Sequence, residues 1–183
     1  MRESQRPQIL EAGIRLVGGS RSATITLEGV AAEAGVTKAG LMYHFPSRDA
    51  LMLALVEHAA LQVGGRIATR LGKSAEASTV RERYRAYLEV AAQGQNMRAE
   101  WALWFQSAYR PELQTAWTRH LEPWLRFPEE MPLSQRAQFI AARLAADGLW
   151  AARASGVLAP SGADGAAVAA HLVDLIERTG ESE

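Results

Sequence analysis

Residues 37–48 carry hydrogen-bond donors whose types suit a polyanion. Lys38 offers an ammonium group and Tyr43 a phenol, and both can donate to phosphate oxygens, while a lysine can also donate to a guanine edge. These side chains predict contacts with the phosphate backbone of double-stranded DNA. The residues predicted to contact DNA are Thr26, Thr37, Lys38, Ala39, Gly40, Tyr43, His44 and Arg48.

Two short helical patterns must position these donors. Thr26 and Thr37 can each accept a hydrogen bond from a free backbone N–H at the start of a helix. Gly35 lies between the patterns and best tolerates the left-handed conformation that ends a helix, whereas Pro46 blocks extension of the second helix. Two such helices form a helix-turn-helix, whose second helix can lie in the major groove of DNA. We expect Phe45 to be core.

A specific pattern runs through about the first fifty residues: Arg6, Ile9, Leu10, Ala12, Leu16, the Thr24 to Thr26 cap, Val30-Ala31, Ala34-Gly35-Val36-Thr37, Gly40, Leu41, Tyr43-His44-Phe45, Ser47 and Leu51. In this pattern the chain resembles the TetR/AcrR family of repressors. The resemblance implies backbone contacts from Tyr43 and His44, and an inducer pocket later in the chain. Gly13 and Val17 stand where the family usually has alanine and an aromatic residue, which predicts looser packing of the first helix.

Composition bounds the class of protein. The chain has 183 residues, 48% of them apolar, which is enough for a buried core and excludes a disordered chain. It has no cysteine, which excludes disulfides, thiol catalysis and cysteine-based zinc sites. Charged residues interrupt the N-terminal stretch and no apolar run reaches the length of a membrane span, so we expect a cytoplasmic protein.

Net charge limits the affinity expected for DNA. The chain has 20 Lys and Arg against 20 Asp and Glu, and residues 1–60 are likewise balanced. DNA-binding domains are usually basic, because affinity comes largely from neutralised phosphates. We therefore expect modest non-specific affinity that relies on local positive charge.

The remaining pattern is helical throughout, with no alternating run that indicates a strand. We predict an all-α protein of nine helices: an N-terminal three-helix domain over residues 1–46, and a helical ligand-binding and dimerisation domain over 47–183. A long helix over 47–71 links them. The predicted caps are Ser47, Thr79, Asn96, Ser134 and Asp164.

The sequence predicts three further local features. The glycine pair at 64–65 predicts a bend in the long helix. Pro123 predicts a kink in, or a shortening of, the helix that starts at Pro111. The tail after Thr179 is expected to be disordered.

Aromatic residues concentrate in and after residues 101–127. Ring-lined cavities with a few polar groups are typical small-molecule sites, although the same spacing also fits ordinary core packing. The resemblance favours a cavity, and the rings favour an apolar or aromatic ligand, including a cation that binds ring faces. The candidate ligand residues are Trp101, Trp104, Phe105, Tyr109, Trp117, His120, Trp124, Asp147 and Trp150.

The last two helices carry a face of small and aliphatic residues. Two copies of this face can form a four-helix interface about a two-fold axis, and intramolecular packing of the pair is the alternative. The candidate interface residues are Ala137, Ile140, Ala141, Leu144, Gly148, Val168, Leu172 and Leu175.

The sequence contains no catalytic pattern. Its four histidines, His44, His58, His120 and His171, are scattered, and no metalloprotease, hydrolase or phosphate-loop signature occurs. We therefore expect no enzyme, cofactor or metal. The prediction is a homodimeric DNA-binding regulator, a repressor released from a palindromic operator by a small apolar or aromatic inducer. The alternatives are a ligand-independent DNA-binding protein and a small helical ligand carrier or enzyme.

Overall fold

The computed structural model describes residues 5–19, 25–93 and 97–179. Within these ranges the chain forms nine α-helices and no strand, as predicted. The helices are α1 (Arg6–Gly19), α2 (Leu27–Ala34), α3 (Lys38–His44), α4 (Arg48–Leu71), α5 (Val80–Gln93), α6 (Met97–Ser107), α7 (Pro111–Leu125), α8 (Leu133–Ser155) and α9 (Gly162–Glu177). The predicted Asn96 cap and the tail after Thr179 lie outside the described residues.

Contacts divide the chain into two units. Unit 1 comprises Met1–Leu61 and Asn96–Thr118, and unit 2 comprises Gln62–Gln95 and Arg119–Glu183. Helices α4 and α7 therefore each contribute residues to both units. This division follows packing rather than function, so the functional boundary after residue 46 stays a prediction.

The core of unit 1 includes a close approach of α1 to α4. Gly13 is buried, and a Cβ atom at this position would lie 2.5 Å from a methyl carbon of Leu55, which is itself fully buried. The missing side chain thus makes room for a core leucine. The expectation that Gly13 loosens the first helix is corrected, because Leu55 fills that space.

The core of unit 2 is formed by α5, α8 and α9. The buried ring of Tyr84 stacks on Phe127 with centroids 5.3 Å apart and tilts against Phe139 at 5.1 Å. Offset and tilted arrangements are the favoured ones for aromatic pairs. The buried members of this core are Val80, Tyr84, Leu88, Phe139, Ala142, Ala146, Leu172 and Ile176.

Helix α5 holds the end of α7. The buried guanidinium of Arg83 donates through Nε to the carbonyl of Trp124 at 3.1 Å and through Nη2 to that of Arg126 at 2.6 Å. Tyr84 donates to the carbonyl of Leu125 at 2.9 Å, and burial raises its pKa to about 12. These donors satisfy carbonyls that a helix end leaves unpaired. The helix continues two residues beyond Pro123, so the proline does not shorten it at that point.

Helix α4 is continuous through its glycine pair. Gly64 is buried, and a Cβ atom there would lie 3.2 Å from the indole nitrogen of Trp124, whereas one at exposed Gly65 would meet nothing. Gly64 thus permits close packing of α4 and α7 within unit 2.

By length and composition alone, α4 is long and apolar enough to cross a membrane, but half of its most apolar 18-residue stretch is buried inside the structure.

Three predicted caps have different outcomes. Thr79 and Glu82 form the expected reciprocal capping box. Helix α8 begins at Leu133 with no side-chain cap, so Ser134 does not cap it. Helix α9 is capped by Ser161, whose hydroxyl accepts from the N–H of Asp164 at 3.1 Å. The predicted Asp164 cap is corrected, because that residue lies inside the first turn.

Candidate nucleic-acid interface and ligand residues

The turn between α2 and α3 is built from side-chain caps and one left-handed residue. Thr26 accepts from the N–H of Gly29 at 3.1 Å, and Thr37 accepts from that of Gly40 at 3.0 Å. Gly35 has φ of 67°, a conformation that side-chain-bearing residues adopt at a cost. The N–H of Val36 then donates to the carbonyl of Ala31 at 3.0 Å, which closes the end of α2.

Contacts from α1 and α4 hold this turn in place. The Gln8 amide donates to the carbonyl of Ala34 at 2.9 Å, at the C-terminal end of α2. Arg48 Nε donates to the carbonyl of Ile25 at 2.7 Å, just before the cap of α2. Arg48 is exposed and has further guanidinium donors, so it can hold the backbone and still face a phosphate.

Helix α3 has one buried side and one exposed side. Leu41 and Phe45 are buried, which confirms Phe45 as core. Tyr43 is 86% exposed, unusually open for a large aromatic side chain, and the ring of His44 lies edge-on to it at 5.2 Å. Lys38 is also exposed, and its Nζ lies 2.6 Å from Glu28 Oε1.

The remaining predicted DNA contacts lie at the starts of α2 and α3. Ala39 is exposed, Gly40 is half-buried, and both cap hydroxyls are exposed and keep an O–H for donation. A Cβ atom at Gly40 would lie 3.2 Å from the hydroxyl oxygen of Thr37, so glycine keeps this cap uncrowded. We call the eight predicted residues the reading surface: Thr26, Thr37, Lys38, Ala39, Gly40, Tyr43, His44 and Arg48.

The candidate ligand residues fall into both units. In unit 1, the rings of Trp104 and Trp117 meet edge to face with centroids 5.3 Å apart. Trp117 is 4% exposed, and its indole nitrogen is buried with no hydrogen-bond partner among the described residues. Phe105 is 49% exposed and Tyr109 76% exposed. These two rings are therefore less buried than the lining of an enclosed cavity would be.

Unit 2 holds the other four ligand candidates, His120, Trp124, Asp147 and Trp150. All four are half-buried. Asp147 accepts from the Tyr87 hydroxyl at 2.6 Å and from Arg143 at 2.6 Å. Burial raises the pKa of Asp147, while the hydrogen bond from Tyr87 and the charge of Arg143 act in the opposite direction. This carboxylate already has two donors, so it is less suited than an unpartnered group to receive a ligand.

Five of the eight candidate interface residues form an exposed strip of α8, and the other three lie in α9. Ala137, Ile140, Ala141, Leu144 and Gly148 are exposed, and Val168 of α9 is 40% exposed. Leu172 differs, because it is 7% exposed and packs in the core of unit 2, which leaves it little surface to offer a partner. Leu175 is half-buried beside the same core.

Several exposed residues were not among the site residues predicted from the sequence. Met42 lies on α3 and is 41% exposed, and Glu28 approaches Lys38. Leu133 is 81% exposed and continues the helical spacing of the α8 strip, a signal that the sequence contained. Leu158 is 95% exposed with φ of 49°, and the sequence around it contains no pattern that predicts this exposure.

Two family models match the chain. The model described as "Bacterial regulatory proteins, tetR family" matches residues 9–55. The model described as "Tetracyclin repressor-like, C-terminal domain" matches residues 81–177, more than half of the chain. The chain belongs to the TetR family. It is therefore a DNA-binding transcriptional regulator.

Individual TetR-family relatives agree with this assignment. An HTH-type transcriptional regulator BetI from Brucella anthropi is 31% identical over 179 residues, covering 92% of this chain and 91% of the relative. A solved TetR-family regulator from Rhodococcus sp. superposes with a TM-score of 0.71 at 16% identity, covering 97% of this chain and 99% of that one. A regulator from Saccharomonospora viridis solved in complex with choline gives 0.70 at 21% identity, covering 94% and 95%. The two structures support the fold.

The reading surface leads to a first prediction. Tyr43→Phe removes one exposed hydroxyl, and Lys38→Gln removes one exposed ammonium group. Each should weaken operator binding by about tenfold or more, because hydrogen bonds to charged groups contribute roughly 1.5–3 kcal/mol. The measurement is titration of an operator duplex at fixed salt, with thermal unfolding to confirm an intact fold.

Lys73→Gln is the matched control, because Lys73 is the other lysine of the chain and pairs with Glu82 in unit 2. It should leave operator affinity within about twofold, since exposed ion pairs contribute little. Equal losses from Lys38→Gln and Lys73→Gln would contradict the assignment of the reading surface.

Proposed function

We propose that the chain is a homodimeric repressor that binds a palindromic operator in the cytoplasm and is released by a small apolar or aromatic ligand. The proposal that the chain binds DNA rests on one observation: α3 has a buried side and an exposed side, with Leu41 and Phe45 buried and Tyr43 exposed. A helix divided in this way can pack on its own domain and still lie in a major groove. The proposal assigns the chain no catalytic residue, metal or cofactor.

The exposed α8 strip supports the homodimer. Leu144 is 55% exposed and Ile140 38% exposed in a single chain, beside the small residues Ala137, Ala141 and Gly148. Small residues allow helices to approach closely, and a two-fold axis places the same strip on both sides of the interface. Two reading surfaces related by this axis would meet half-sites about one helical turn apart, roughly 34–36 Å.

The buried indole of Trp117 supports the ligand half. Most buried donors have a partner, so an unpaired indole N–H needs an explanation. A ligand with a hydrogen-bond acceptor would satisfy it, and the edge of Trp104 lies beside it. Ring faces also attract cations. The choline held by the Saccharomonospora viridis regulator, whose fold is similar, is consistent with a small cation as the ligand here.

Release requires the ligand to favour a conformation that fits the operator poorly. Helix α4 begins at Arg48 on the reading surface and continues into unit 2, and α7 also contributes to both units. We infer that ligand binding tilts α4 and changes the spacing of the two reading surfaces. Effective switching needs a differential affinity of a few kcal/mol, up to about 5.5 kcal/mol for a near-complete change.

A second prediction tests the dimer. Leu144→Asp should convert a dimer into a monomer at micromolar concentration, because each copy loses about 1.5–3 kcal/mol of apolar burial and two charges meet near the axis. We expect dimerisation to weaken by about 100-fold or more. Analytical ultracentrifugation measures the association constant directly.

Leu61→Asp is the control for this experiment. Leu61 is 60% exposed and belongs to α4 in unit 1, so the substitution adds the same charge to a comparably open leucine outside the strip. It should leave the association constant within a few-fold of the wild type. A monomeric wild-type chain, or equal effects of the two substitutions, would contradict the proposed interface.

A third prediction tests the ligand. Titrating the protein with choline, its uncharged carbon isostere and a panel of aromatic compounds should identify a compound that changes tryptophan fluorescence. The same compound should lower operator affinity at least tenfold, because binding and release are coupled. A compound that binds tightly and leaves operator affinity unchanged would contradict the coupling. If none of these compounds alters the fluorescence, the result favours a regulator whose rings are only core.

A further inference from the structure

Lys38 of the reading surface forms a charge pair with Glu28 that the proposed DNA-binding role does not explain. Lys38 is the first residue of α3, and Glu28 lies in the first turn of α2. The Lys38 Nζ and Glu28 Oε1 atoms are 2.6 Å apart, with both side chains more than half exposed. The pair therefore lies at the surface, where the two helices present their first turns.

This pair changes what Lys38 can contribute to DNA binding. Between residues 25 and 47, Lys38 is the single lysine or arginine in the sequence. Non-specific binding depends on cations that neutralise phosphates and release counterions. A carboxylate in contact with Lys38 already neutralises it. A phosphate contact by Lys38 must therefore either break the pair or place Glu28 beside a second anion.

A contact from Lys38 to a base edge costs less than a contact to phosphate, because it does not require the pair with Glu28 to break. An ammonium group has three donors, so Lys38 can keep one on Glu28 and offer others to the O6 and N7 acceptors of guanine. A carboxylate can itself accept from the N4 amino group of cytosine. A paired Lys38 thus suits the base edges of a G·C pair better than it suits phosphate.

We propose that Glu28 is a specificity-determining residue, which holds Lys38 in a neutral pair that reads base edges and weakens sequence-independent binding to phosphate. This inference rests on the proposed reading surface and extends it. The balanced charge of residues 1–60 is consistent with it, because the domain has little surplus cation to hold it on arbitrary DNA. Glu28 also stabilises the positive N-terminal end of α2, so its test must separate DNA selectivity from helix stability.

Glu33 supplies a matched control on the same helix. It is exposed, and its Oε1 accepts from Arg15 Nε of α1 at 3.1 Å. Glu33→Gln therefore changes the net charge by the same amount as Glu28→Gln and also breaks one exposed ion pair. A difference between the two variants therefore does not come from the overall charge, and the Lys38→Gln background shows whether it depends on the contact with Lys38.

The experiment titrates five chains with an operator duplex and a random-sequence duplex over a series of salt concentrations. The chains are the wild type, Glu28→Gln, Glu33→Gln and the double variant Glu28→Gln/Lys38→Gln, with Lys38→Gln as the reference for the last. Glu28→Gln should bind random duplex about two- to fivefold more tightly, the range expected when an exposed pair is released. Its salt dependence should steepen by about one unit of slope per reading surface.

The operator affinity of Glu28→Gln should rise less than its random-duplex affinity, so that the ratio between them falls. Glu33→Gln should keep the wild-type salt slope, and Glu28→Gln should have no further effect in the Lys38→Gln background. Equal behaviour of Glu28→Gln and Glu33→Gln, or an effect of Glu28→Gln that persists without Lys38, would overturn this inference.

Failure of the inference can be told from failure of the proposed function. If Lys38→Gln weakens operator binding while the two glutamate variants behave alike, the reading surface stands and the role of Glu28 is wrong. If the wild type binds operator and random duplex equally, or if Lys38→Gln changes neither, the reading surface itself is wrong and the role of Glu28 falls with it. Thermal unfolding of every variant shows whether α2 has kept its stability.

Discussion

A helix of seven residues is too short to be stable alone, because nucleation costs more than its few hydrogen bonds return. Helix α3 therefore depends on what surrounds it: the Thr37 cap at its start and the burial of Leu41 and Phe45 against the rest of unit 1. The same contacts fix its rotation, so Tyr43 faces outward. The stability of α3 and the orientation of the predicted DNA-binding donors are set by the same few contacts.

Charge explains how such a small surface can be selective. Residues 1–60 carry no surplus positive charge, and the one lysine of α3 is paired with Glu28. For the proposed homodimer, selectivity would then come from base edges and from two correctly spaced copies rather than from attraction to phosphate alone. In the proposed function, dimerisation through the α8 strip and control by a ligand would act on the same quantity, because both would set the distance between the two copies.

Local features could be predicted from the sequence, and features that join distant residues could not. The Thr26 and Thr37 caps and the left-handed Gly35 follow from neighbours within four residues. The contact of Gly13 with Leu55 joins residues far apart in the chain, so the departure from the family's usual alanine suggested only looser packing. Likewise, the helical period placed Leu172 on an apolar face, but only the tertiary structure shows that its own chain already covers it.

The central claim is that two symmetry-related copies of α3 bind successive major grooves, and the spacing of half-sites tests it most directly. Once footprinting has located the operator, its two half-sites can be moved apart by about half a helical turn, and then by about a full turn. Affinity should fall sharply for the half-turn insertion, which places the second half-site on the opposite face of the duplex. Equal affinity at every spacing would contradict the account, because it would mean that each half-site is bound independently.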